Sequence, residues 1–183
     1  MVYVFLADGF EEGEAILPID LLRRADISVC TVGIGADRCI LGAHGIPVTA
    51  DVCAESLGGL PEDAEMLLLP GGMPGTKNLD ASPFVQACIR QAVERKLPLA
   101  AICAAPSIYG KLGLLSGKKA TCFPGFEAAL IGAEVTHTGV AVDGNTVTAR
   151  ALGSAQDFAF AIIRMLKDNE TAERVRQSIF FEQ

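Results

Sequence analysis

A chain of 183 residues, half of them apolar and a fifth charged, is sized for one domain with a core of its own and is too apolar for a disordered segment. No apolar stretch reaches the roughly 18 residues a spanning helix requires, so no membrane segment is expected. The net charge of -7 and the lack of a basic block argue against nucleic acid as a ligand.

Taken in chain order, Val2 to Ala7 is an apolar, β-branched and aromatic run that ends in Asp8-Gly9 and reads as a strand. It lacks the basic leader of a signal peptide, and a cytoplasmic protein is expected. Helical spacing of Ile16, Ile19 and Leu22 predicts a helix over Ala15 to Ala25, then a strand over Ile27 to Ile34. Cys39 to Thr49 reads as a short hairpin. Met66 to Leu69 is a compact strand closed by Pro70-Gly71-Gly72, and Pro83 to Lys96 is an amphipathic helix through Phe84, Ala87, Cys88 and Ala92. Leu97 to Cys103 is apolar throughout, as a parallel strand covered on both faces must be, and Pro106 fits the first turn of a helix after it.

Further on, Gly117 to Cys122 is a strand candidate, Phe126 to Ile131 a short helix, and Val140 to Thr148 two strands about the Asp143-Gly144-Asn145 turn. Ser154 with Asp157 three residues on reads as a capping box for a helix through Phe158, Ile162, Met165 and Leu166; the last helix spans Glu170 to Gln177. The alternation predicts one α/β domain over residues 1–183, a flavodoxin-like, doubly wound, mostly parallel sheet with helices on both faces.

In such sheets ligands bind beyond the carboxyl ends of the strands, so the loops after Ala7, Leu69 and Ile102 are expected to converge. The third of these carries Cys103, between a buried strand and Ala104-Ala105-Pro106, an arrangement like a nucleophile elbow. Amide groups at the start of a helix favour a thiolate by about 0.3 to 2 kcal/mol, enough to bring such a thiol toward neutrality. The ordinary alternative is a buried cysteine acting as a small hydrophobe, which is the reading for Cys30, Cys39, Cys53, Cys88 and Cys122. The six cysteines form no Cys-x-x-Cys pair, so neither disulfides nor a metal site is expected.

Glu14 enters with the first helix and is the candidate partner of Cys103; a neutral carboxylic acid there would donate to the thiolate and carry a proton. Such a glutamate can also serve only the helix dipole. Glu11 and Glu12 read as solvated. Gly71, Gly72 and Ala104 are candidate backbone donors to an oxyanion. Arg150 is a candidate anion-binding group, while His44 and His137 are not placed near Cys103 by sequence.

The segments Leu6-Ala7-Asp8-Gly9-Phe10-Glu11-Glu12-Gly13-Glu14-Ala15, Pro18-Ile19-Asp20-Leu21-Leu22-Arg23-Arg24-Ala25, Leu69-Pro70-Gly71-Gly72, Ala101-Ile102-Cys103-Ala104-Ala105-Pro106 and Thr148-Ala149-Arg150, in that order, resemble the DJ-1/ThiJ/PfpI superfamily, in its DJ-1-like branch. The resemblance implies a fold akin to class I glutamine amidotransferases, Cys103 as the reactive cysteine, Glu14 as its acid partner and Gly72 as a backbone donor. The peptidase-like branch has a histidine where this chain has Ala104, and some members carry one where Phe123 stands, so proteolysis is disfavoured. His44 falls near a family position whose basic group approaches the site across a dimer interface. The implied function is a cofactor-independent glyoxalase- or deglycase-like activity on small α-oxoaldehydes. The alternative is an oxidant-sensing or chaperone-like binding protein whose Cys103 becomes a sulfinate. A homodimer is expected in either case, with the helix bearing Ile16 and Leu17 as its interface.

Overall fold

A computed structural model describes residues 1–181 of the chain. Its strands are β1 (Val2–Leu6), β2 (Val29–Gly33), β3 (Cys39–Leu41), β4 (Pro47–Thr49), β5 (Val52–Cys53), β6 (Met66–Leu69), β7 (Leu99–Ile102), β8 (Lys119–Ala120), β9 (Glu134–Val135), β10 (Val140–Asp143) and β11 (Thr146–Ala149). The helices are α1 (Glu12–Arg24), α2 (Gly75–Ala81), α3 (Pro83–Glu94), α4 (Pro106–Lys111), α5 (Ala155–Leu166) and α6 (Asn169–Ser178).

A seven-stranded sheet in the order β10-β11-β7-β6-β1-β2-β5 organises the described residues. Within it β10 alone runs antiparallel, turning back on β11 through the Asp143–Thr146 pair. The strands alternate their side chains between two cores, as a pleated ribbon must. Val2, Val4, Leu6, Met66, Leu68, Ala100 and Ile102 face Leu22 of α1, Phe158 and Ile162 of α5, and Val175 of α6. Tyr3, Phe5, Leu67, Leu69, Leu99 and Ala101 face Leu79 of α2, Val85 and Ile89 of α3, and Tyr109 of α4. Burial on both faces explains why β6 and β7 are unbroken apolar runs.

The chain moves outward in one direction through β1, β2 and β5 and in the other through β6, β7 and β11. The direction reverses between β1 and β6, and the region beyond the carboxyl ends of these two strands is where ligands of such sheets bind.

Several expectations from sequence need correction. Ser154 sits at the start of α5 but its side chain makes no capping bond; a 3-10 turn over Leu152–Ser154 leads into the helix instead. The short helix expected over Phe126 to Ile131 is a single 3-10 turn, Glu127–Ala129. Helix α2 has no apolar periodicity of its own and was not predicted. Helix α1 begins at Glu12, earlier than its apolar spacing indicates, because Glu11 accepts from the Glu14 amide at 2.5 Å and caps it.

Leu68 is fully buried in the central strand β6. We expect Leu68→Ala to cost about 2 to 5 kcal/mol, measured by denaturant unfolding; a loss below about 1 kcal/mol would show that helices α1 and α5 can close the gap.

Candidate active site

Three loops meet at the carboxyl end of the sheet. The first, after β1, packs backbone to backbone on the second, after β6: the Glu11 amide donates to the Gly71 carbonyl at 2.9 Å. Gly72 has φ +93°, and a Cβ there would collide with the Glu11 amide and lie 2.6 Å from the Phe10 carbonyl carbon, so only glycine allows this approach. The third loop is the elbow after β7. Cys103 has φ +64°, a left-handed conformation unusual for a residue with a side chain and costing about 1 to 3 kcal/mol. Neighbouring backbone holds it there: the Cys103 amide donates to the Ala149 carbonyl at 2.9 Å, its carbonyl accepts from Phe123 at 2.7 Å, and Ala105 closes the turn onto Ile102 at 3.1 Å.

Glu14 is buried and lies against Cys103. A Cβ at position 71 would fall on both the Cys103 Cβ and the Glu14 Oε2. Gly71 therefore leaves room for the thiol and the carboxyl to meet. Glu14 Oε2 has no well-formed hydrogen bond. The amides of Gly71 and Leu152 approach the carboxyl and favour its charged form, as does Cys103. Burial outweighs them and, with the charge of Glu11 adding, raises Glu14 to about 7. An orphaned buried oxygen is costly; as a protonated acid it becomes a donor toward the sulfur.

The Cys103 thiol is pushed up to about 12, first by burial and then by the charge of Glu14, against the Gly72 and Ala104 amides. This corrects the expectation of a near-neutral thiol. Helix α4 starts at Pro106 and has six residues, too little dipole at Cys103 to overcome desolvation and a neighbouring carboxylate. Between the two titrations the pair holds a single proton, and the nucleophilic form is the one in which that proton sits on Glu14.

Gly72 and Ala104 supply amides to the sulfur, as expected from sequence, whereas the Gly71 amide serves Glu14. Sequence reasoning missed Leu152 as a second amide on Glu14. The signal available for it was topological, since Leu152 follows the strand paired with β7. Phe123 touches the elbow through its amide and keeps a partly exposed ring. The Arg150 guanidinium donates to the His137 carbonyl at 2.9 Å, and its charge favours ionised Cys122 and Glu127; no contact ties it to Cys103.

Glu12, expected to be solvated, is buried. Its Oε1 accepts from the His44 amide at 2.8 Å, and its Oε2 lies 2.8 Å from His44 Nδ1. Burial opposes ionisation, but these bonds and the Ile46 amide hold Glu12 down at about 2. Among the described residues, Glu11, Glu12 and His44 bring donor atoms close enough to surround an ion, yet Glu12 spends both oxygens on the hairpin turn between β3 and β4. The trio is a clamp between that turn and α1.

A family model described as the DJ-1/PfpI family matches residues 1–165. The chain belongs to the DJ-1/PfpI family. Protein DJ-1 homolog B of Arabidopsis thaliana is 36% identical over 95% of this chain, which spans 40% of that relative's length. A protein named as a deglycase from Pyrococcus abyssi is 30% identical over 91% of this chain and 99% of its own. The solved structure of oxidised DJ-1 from Toxoplasma gondii superposes with a TM-score of 0.93 at 29% identity, covering 100% of this chain and 98% of that one. The flavodoxin-like arrangement is thus a family property. No helix among the described residues is long and apolar enough to cross a membrane.

The raised Glu14 carboxyl gives a stability prediction. Its folded value, about 7, lies above the ordinary 4.5, so ionisation destabilises the fold increasingly as pH rises from 4.5 to 7 and by a constant amount above that. We expect Glu14→Gln to raise stability at pH 8 by up to about 3 kcal/mol relative to its effect at pH 4. Thermal unfolding at the two pH values checks this; an equal effect at both would place the ionisation elsewhere.

Proposed function

We propose that this protein converts small α-oxoaldehydes such as methylglyoxal to 2-hydroxy acids through Cys103 and Glu14. The observation that carries this reading is a half-buried thiol and a buried carboxyl brought together in the space Gly71 leaves open. The Pyrococcus relative named as a deglycase supports carbonyl chemistry as the reaction class.

The cysteine thiolate attacks the aldehyde carbon. A C–S bond forms, and the carbonyl oxygen takes the proton held by Glu14, giving a hemithioacetal and leaving Glu14 ionised. The carboxylate then removes the hydrogen on that carbon as a proton; the electron pair forms an enediolate with the neighbouring carbonyl, and the hydroxyl proton on the first oxygen passes to the second. Returning the proton to the second carbon gives a thioester. The first carbon has been oxidised and the second reduced within one molecule, so no outside electron carrier enters the balance. Water cleaves the C–S bond, releases lactate and restores the thiol. The amides of Gly72 and Ala104, already directed at the sulfur, stand beside the developing oxyanion.

A second reading is oxidant sensing, favoured by the same amides, which would accept an oxidised sulfur, and by the oxidised state in which the Toxoplasma relative was solved. Under it, mild peroxide converts Cys103 selectively and methylglyoxal is untouched.

Lactate release from methylglyoxal without glutathione decides between the two. We expect Cys103→Ser to abolish it and Glu14→Gln to lower kcat by at least about 100-fold. Wild-type turnover no greater than that of Cys103→Ser would overturn the enzymatic reading.

A further inference from the structure

The pair is not electrostatically isolated. Glu11, which caps α1 by accepting from the Glu14 amide at 2.5 Å, is a charged side chain that acts on the Glu14 carboxyl, and its charge favours the protonated form. On the far side of Glu11 stands His44. Its Nδ1 is 3.9 Å from Glu11 Oε1 and 2.8 Å from Glu12 Oε2. The charged groups facing the ring are Glu11, the cap of α1, and Glu12, its first residue; the turn that carries it contributes Gly42, Ala43, Gly45 and Ile46, none of which titrates.

Nothing in the chemistry above uses His44, and its side chain is largely exposed. Its backbone amide, together with that of Ile46, already fastens the turn to Glu12, so the ring is not needed to hold the hairpin. What the ring adds is a charge that changes near neutrality. The hydrogen bond between the ring and the Glu12 carboxylate, and the charges of Glu12 and Glu11, raise its pKa.

We propose that His44 is a positioning residue for the proton shared by Glu14 and Cys103: facing Glu11 and bridging Glu12, it sets how much of Glu11's negative charge reaches the Glu14 carboxyl. The inference rests on Glu14 as the proton carrier and not on the identity of the substrate. The sign follows from charge. A protonated His44 offsets Glu11, and Glu14 then releases its proton more readily. As pH rises and His44 loses its charge, Glu11 acts unopposed and Glu14 retains its proton to higher pH. While it is charged, the imidazole thus shortens the interval over which the acid form of Glu14 is present beside the sulfur.

The test is the rate of Cys103 alkylation by iodoacetamide, followed on the Cys103 peptide by mass spectrometry from about pH 5 to 9. Thiolate reactivity should rise as the pair loses its first proton, with a midpoint near the Glu14 value of about 7. We expect His44→Gln, which keeps a hydrogen-bonding side chain but no charge, to move the midpoint up by about half a pH unit, the size of one partly screened charge. His44→Lys, which keeps the charge throughout, should move it down. In a Glu11→Gln background, His44→Gln should have little effect, because the charge it modulates is gone. Equal midpoints in wild type, His44→Gln and His44→Lys would overturn the proposal, as would shifts of the same sign in both variants. Because alkylation needs no substrate turnover, a protein inactive on methylglyoxal would leave this test intact.

Discussion

The site depends on putting a carboxyl and a thiol into one desolvated space. Two groups that each prefer water when ionised cannot both be charged there, so the enclosure itself obliges them to share a proton. Most of the surrounding architecture serves that enclosure. The reversal of strand direction between β1 and β6 opens the crevice, the cap by Glu11 fixes where α1 begins, and the absence of side chains at Gly71 and Gly72 lets the two loops close on each other. Burial alone would produce two neutral, inert groups. The Gly71 and Leu152 amides around Glu14, and the Gly72 and Ala104 amides around Cys103, bring either ionised form within reach.

The central strands of the sheet were largely legible from apolar runs, because strands covered on both faces have no choice of composition: β1, β6 and β7 are all apolar and all buried. Helix α3 was legible for the complementary reason, since Ser82 caps it, Pro83 opens it and Val85, Cys88, Ile89 and Ala92 face the core. Helix α2 was not, because its seven residues carry no apolar stripe and place the single large apolar side chain of Leu79 in the core. The capping box at Ser154 failed because a preceding 3-10 turn changes the approach of the chain.

At the site, Cys103, Glu14 and Gly72 were legible as candidates because each lies in the loop after a strand or in the first turn of a helix at the sheet's carboxyl edge. Their electrostatics were not visible. A helix start after a cysteine suggests a lowered pKa, but the sum depends on how deeply the sulfur is buried and which charge faces it, quantities fixed by residues far apart in sequence. The same holds for Glu12, whose partners His44 and Ile46 arrive from a hairpin more than thirty residues away, and for Leu152, which reaches Glu14 through the pairing of β11 with β7.

The left-handed backbone at Cys103 has a consequence for how the protein tolerates change. A residue with a side chain occupies that conformation at a cost that glycine would not incur. The fold would therefore be relieved by replacing the very residue on which the proposed function rests, and selection for stability alone would drift toward glycine there. On the proposed function, cysteine is kept here against that pull, and reactivity at this position opposes stability instead of following from it.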